Sequence, residues 1–169
     1  MEQDPKAPAI PMQAAGDTSP ATTSTAPHVN FGEMNGSGRL PIPPIAQLLG
    51  FTTASVQNGV AIVELDADGR HANPMGTLHG GVLCDIADAA MGIAYASELG
   101  PGESFTSLEL KINFFRPVWN AHLRAIGKVV SRGRTVGMVE CDVYDEKQRL
   151  IARASSTCMT LRGEMASGR

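Results

Sequence analysis

The sequence predicts an α+β domain in which one long helix packs against an antiparallel sheet. From about Gly80 to Leu99 the apolar residues recur at helical spacing. Two runs around Asn58-Gly59 alternate with a period of two, and four more alternating runs follow the helix. A lone apolar helix after a hairpin must bury its face, and an antiparallel sheet wrapped around it is the simplest way to do so.

Each element has its own signal. Residues 1–38 are rich in Pro, Ala, Ser, Thr and Gly, and 8 of the 11 prolines lie in the first 44 residues. Few bulky apolar side chains are present there to offset the entropy of ordering, so a flexible tail is expected. The domain is expected over 39–163, with a short C-terminal tail over 164–169. Pro43-Pro44 before Ile45–Leu49, with Gly50 after it, reads as a short helix. Phe51–Gln57 and Val60–Asp66 alternate around Asn58-Gly59, a two-residue hairpin signal. Residues 69–78 form a loop punctuated by Gly69, Pro74 and Gly76.

The long helix should bury Leu83, Ile86, Ala87, Ala90 and Ala94. Its other side carries Gly81, Asp85, Asp88, Ala89, Gly92 and Ala96. A solvated face more commonly carries Lys, Glu and Gln. This small-residue face admits a second backbone, and it contains carboxylates. Gly100-Pro101-Gly102 ends the helix. Strands follow at 105–115, 121–131, 134–144 and 149–161. In the first, Leu108, Leu110, Ile112 and Phe114 alternate with Ser107, Glu109, Lys111 and Asn113. The sheet's outer edges call for protection or a partner, which favours an oligomer.

Composition narrows the function. The net charge of −3 argues against nucleic-acid binding, but the charge is unevenly distributed. Residues 1–100 carry 3 basic and 10 acidic side chains, and residues 101–169 carry 11 and 7. The C-terminal half is suited to a polyanionic small ligand, or to a solvated mixed surface. Cys84, Cys141 and Cys158 form neither a disulfide framework nor a Cys-x-x-Cys pair and read as buried thiols. The N-terminus lacks the apolar region of a secretory signal, and no apolar run approaches a membrane span, so a cytoplasmic protein is expected. His71, His79 and His122 lack compact metal-ligand spacing, and neither a Gly-x-Ser-x-Gly elbow nor a Gly-rich phosphate loop is present.

The chemistry concentrates between His71 and Asp88. Gly80 and Gly81 stand where the loop enters the helix, where free N–H groups and the helix dipole favour negative charge. An oxyanion hole needs that geometry, and so does plain close packing of a helix start. Asp88 is a carboxylate on an apolar face, costly unless paired or used. Asp85, one turn earlier, is its rival and has a natural structural role near the positive helix end. His79 is open to a role as base, as ligand or as a first-turn structural residue.

The run Asn73-x-x-Gly76-Thr77-Leu78-His79-Gly80-Gly81, followed by Asp88, resembles the phenylacetyl-CoA-type acyl-CoA thioesterases of the hot-dog superfamily. Supporting matches are Ser107–Phe114, Arg116-Pro117, Gly127 and Ser131-Arg132-Gly133-Arg134, and the likeness covers roughly residues 40–162. The resemblance implies a hot-dog fold and hydrolysis of an acyl-CoA, aryl or medium-chain, without a cofactor or metal. It implies a homo-oligomer, a dimer or dimer of dimers, with the site between subunits. Asn73 and the Gly80 N–H would polarise the thioester carbonyl, and His79 would support their loop. Asp88 of the other chain would activate water or attack directly, with Ser107 orienting it. Gly81, Arg132, Gly133 and Arg134 would meet coenzyme A. Two other readings are a hot-dog dehydratase or hydratase, whose motif is not seen here, and a non-catalytic acyl-CoA-binding module. Binding alone requires neither Asn73 nor Asp88.

Overall fold

The computed structural model describes residues 42–167; the tail expected over 1–38 lies outside them. A short helix α1 (Pro44–Leu49) leads into the hairpin β1 (Thr52–Gln57) and β2 (Val60–Ala67). Helix α2 (Gly80–Ala96) follows, then β3 (Glu103–Phe114), β4 (Ala121–Arg132), β5 (Val136–Asp145) and β6 (Leu150–Arg162). A 3-10 turn at Gly163–Ala166 packs on β3 and β6. The six strands form one antiparallel sheet in the order β1-β2-β4-β5-β6-β3, with β1 and β3 at its edges. The expected α+β hot-dog architecture is the one observed.

Helix α2 lies across the inner face of this sheet. Leu83, Ile86, Ala87, Ala90, Met91, Ala94 and Tyr95 are buried against Val63, Leu65, Leu123, Val139, Cys141 and Val143. Each large side chain so buried contributes about 1.5–3 kcal/mol. Gly127 of β4 allows the close approach, because a Cβ there would collide with the Ala90 carbonyl and the Met91 amide. Ala96 belongs to this buried side, not to the small-residue face on which its spacing put it. The regular helix also ends at Ala96, short of Leu99. There the Ser97 hydroxyl donates to the Ala94 carbonyl (2.7 Å) and accepts the Gly59 N–H (3.1 Å), so a tertiary partner closes the last turn.

Two β-bulges change which side chains face the helix. In the β3–β6 ladder Ser107 pairs with Cys158 and Glu109 with Thr157, leaving Leu108 as an extra residue. Strict alternation would put Ser107 on the face opposite Leu110 and Ile112. The bulge instead lets Phe105, Leu110 and Ile112 all pack on the core, while Leu108 stays 53% exposed. In the β4–β5 ladder Val129 pairs with Val139 and Ser131 with Met138, so Val130 is the extra residue. Arg132, paired with Gly137, is thereby turned toward the C-terminal end of α2.

Candidate active site

The loop before α2 is held by its own polar groups. Asn73 N–H donates to the Thr77 carbonyl (2.7 Å), and Gly76 N–H to the Asn73 carbonyl (2.9 Å). The Asn73 side-chain oxygen accepts the Met75 and Thr77 N–H groups, at 2.9 and 3.3 Å. These donors fix the amide's orientation. Its Nδ2 therefore points to the Thr77 hydroxyl (2.8 Å), with one N–H left over for another acceptor. His71 is a structural residue of the same loop. Its Nδ1 accepts the Asp68 N–H and its Nε2 meets the Leu49 carbonyl at 2.8 Å.

His79 is the N-cap of α2, and its Nδ1 accepts the Gly81 N–H at 2.8 Å. Of the structural and catalytic readings left open for His79, this contact is the structural one. It also occupies one of the two glycine amides. The Gly80 N–H has no acceptor among the described residues. A side chain at Gly80 would come within 3.0 Å of the Phe114 ring, so glycine keeps this amide approachable.

Asp88 lies eight residues further along α2. At 1.5 Å per residue it stands about 12 Å from Gly80 along the axis. One thioester carbonyl cannot reach both within a protomer. Ser107, turned by the β3 bulge, donates to Asp88 Oδ1 over a long 3.5 Å. Asp88 keeps solvent contact, yet its carboxyl is held above the ordinary aspartate value. Lost hydration is the main cause; the Ser107 hydrogen bond opposes it and the Asp85 charge adds to it. Asp85 is also raised by lost hydration, with His79 acting against the shift. Cys158, opposite Ser107 on β6, is fully buried, and burial raises its thiol.

The residues expected to meet coenzyme A separate into two groups. Arg132 is committed within the protomer. Its guanidinium donates to the Glu98 carbonyl and to Glu103 Oε2 (2.8 Å), and lies 5.6 Å from the centre of the Tyr95 ring. Gly133 N–H is bonded to the Val136 carbonyl in the turn (2.8 Å). Arg134 is exposed and has no ion-pair partner among the described residues. No group of three or more His, Cys, Asp or Glu is arranged to hold a metal among the described residues. No helix there is long and apolar enough to cross a membrane.

Residues 75–152 match the model of the thioesterase superfamily. The chain is 30% identical over 101 residues to the proofreading thioesterase EntH of Klebsiella pneumoniae, covering 60% of this chain and 74% of that one. It is 26% identical over 113 residues to a 1,4-dihydroxy-2-naphthoyl-CoA hydrolase of Listeria monocytogenes, covering 67% and 92%. Among solved structures it superimposes on a mutant of the phenylacetic acid degradation protein PaaI from Thermus thermophilus. That match has a TM-score of 0.65 and 25% identity, and covers 69% of this chain and 98% of the other. The fold, the loop–helix junction and these relatives agree: the chain belongs to the thioesterase superfamily, as a hot-dog-fold thioesterase.

Proposed function

We propose that the protein hydrolyses acyl-CoA thioesters, aryl or medium-chain, at a site shared between two subunits of a homodimer or dimer of dimers. One observation carries this reading. The Gly80 N–H, without an acceptor among the described residues, and the Asp88–Ser107 pair face open sides of the same helix, about 12 Å apart along its axis. A second copy supplies the missing half of each site. The exposed edge strand β3, which bears Ser107, is a natural place for that copy to join.

The thioester carbonyl accepts hydrogen bonds from the Gly80 N–H and the remaining Asn73 N–H of one subunit. Asp88 of the other subunit removes a proton from water as its oxygen bonds to the carbonyl carbon. The tetrahedral oxyanion collapses, the C–S bond breaks, and the proton returns to the departing thiolate. The products are the free acid and coenzyme A. In the nucleophilic variant, Asp88 attacks first and water then cleaves the mixed anhydride. Either route requires Asp88 ionised, and its raised pKa makes it a stronger base than a free aspartate. Ser107 orients the carboxylate. His79 fixes the junction by capping Gly81. Arg134 meets the coenzyme A phosphates beside Gly81 and Gly133, whereas Arg132 would have to leave Glu103 to do so. The naming of the Listeria and Thermus relatives supports an aryl acyl group. Unpaired thiols at Cys84, Cys141 and Cys158 support a cytoplasmic setting.

The test is thiol release by the full-length protein across a panel of acyl-CoAs, alongside sedimentation. Turnover by an oligomer is expected. A fully active monomer removes the shared site, and tight acyl-CoA binding without release supports the non-catalytic module.

A further inference from the structure

We infer that Glu109 is a positioning residue: its carboxylate clamps the β3 bulge that turns Ser107 toward Asp88. The inference rests on the reading of Asp88 as the reacting carboxylate. The bulge decides where Ser107 points, since a strand without Leu108 as an extra residue could not direct both Ser107 and Leu110 at the helix. An extra residue also disturbs the ladder, and here two side-chain bonds span the break. Glu109 Oε1 accepts the Thr157 N–H at 2.8 Å. The Ser156 hydroxyl donates to the Glu109 carbonyl at 2.5 Å. Glu109 is thus tied to β6 through both its carboxylate and its backbone, two residues from Ser107. From the edge strand β3 its carboxylate reaches an amide of the interior strand β6, a role that solvent exposure alone would not require of a glutamate.

The groups facing Asp88 are Cys84 and Asp85 on α2, Ser107 on β3 and Cys158 on β6. Of these, the Ser107 hydroxyl is the one that stabilises the charged carboxylate by hydrogen bonding. Releasing the bulge weakens that bond and moves Asp88 toward higher pKa. Removing the Glu109 charge by itself acts in the opposite direction, because it takes a negative charge away from the region. The two effects therefore differ in sign.

The experiment is an NMR titration of the Asp88 carboxyl in the full-length protein, paired with the pH profile of kcat. Ser107→Ala should raise the Asp88 pKa and shift the acid limb upward. Relative to Glu109→Gln, which shares its loss of charge, Glu109→Ala should do the same, lowering kcat about tenfold at neutral pH, within the cost of a displaced reacting group, with KM little changed. Glu109→Gln, whose amide oxygen still accepts the Thr157 N–H but carries no charge, should lose the upward shift and titrate at or slightly below the native value. The Ser107→Ala/Glu109→Ala double variant should shift no further than Ser107→Ala. If Glu109→Ala does not fold, Ser156→Ala releases the same bulge and should shift the limb in the same direction. An Asp88 pKa in folded Glu109→Ala no higher than in Glu109→Gln overturns the inference, as does an Asp88 pKa unmoved by Ser156→Ala or an additive shift in the double variant. The titration reads Asp88 without turnover. Failure of Asp88 as the reacting group would instead appear as an active Asp88→Asn enzyme.

Discussion

At the C-terminal end of α2 the Glu98 carbonyl accepts from Arg132, and Arg132 also pairs with Glu103. Glu103 is in turn bonded to Arg162 (2.8 Å) and to the Gly100 N–H (2.9 Å). At the N-terminal end His79 caps Gly81, but the Gly80 N–H is left without an acceptor among the described residues, and the flank beyond it carries Asp85 and Asp88 without an ion-pair network among them. Both ends present unsatisfied backbone groups and a partial charge. One is closed by side chains of opposite charge and contributes stability. The other keeps a donor and a partly dehydrated, still accessible carboxylate open, which is what a reaction at a carbonyl requires. Substitutions at the two ends should therefore fail in different ways.

The largest effect is expected at the open end. Asp88→Asn should lower kcat by about 10²–10⁴-fold, the usual worth of a positioned acid–base group, with Tm and oligomeric state retained. Thiol release, a melting curve and sedimentation measure the three. Asp85→Asn should leave the rate near native and cost no stability, because lost hydration disfavours the Asp85 carboxylate in the fold. Mixing inactive Asn73→Ala and Asp88→Asn subunits should restore part of the activity. Verified hetero-oligomers that stay inactive would end the shared-site reading.

At the closed end, Arg132→Ala should strip the Glu98 carbonyl of its donor, leave Glu103 with Arg162 alone, and destabilise by about 2 kcal/mol, several degrees in Tm. Turnover per folded molecule below the melting transition should stay near native. An Arg132→Ala protein with native Tm but sharply raised KM would move Arg132 into the binding site. Arg134, in the same turn but unpaired, gives the contrast. Arg134→Ala should raise KM for an acyl-CoA about tenfold, the worth of one charge-assisted hydrogen bond. A thioester lacking the nucleotide should be insensitive to it.

The smallest effect concerns pH. The Gly100 amide, followed by Arg162 and Arg132, holds the Glu103 carboxyl below its ordinary 4.5, against a cost of burial. A depressed folded pKa means that the charged form stabilises the fold above the unfolded value. That contribution fades as pH falls below 4.5 and through the folded pKa. Tm of the native protein should therefore fall more steeply on acidification than Tm of Glu103→Gln. Parallel curves from calorimetry would show that the network contributes no net stability.

Much of this was legible from local pattern. The helix, the Asn58-Gly59 hairpin and the strands follow from periodicity and turn chemistry, which act over a few residues. Gly80, Asp88 and Arg134 stood out as a helix-start glycine, a carboxylate on a small-residue face and a turn cation. Alternation placed Ser107 on a face it does not occupy, and Arg132, expected in the turn after the strand, is the last residue of β4 and faces the helix end. Each lies beside a bulge, at Leu108 or Val130, and neither bulge has a Gly or Pro to announce it in the strand. Glu109 looked like an ordinary solvent-facing residue, because its acceptor role depends on a strand 48 residues away.

The sequence by itself determined the element order, the buried stripe of α2 and the residue types available at its N-terminal end, because these depend on short-range periodicity and composition. Only the tertiary structure decided that β3 lies at the sheet edge beside β6, that Ser107 reaches Asp88, and that Arg132 seals the far end of the helix while Arg134 has no ion-pair partner among the described residues. Those outcomes depend on register between strands distant in sequence, where one extra residue turns every following side chain to the other face.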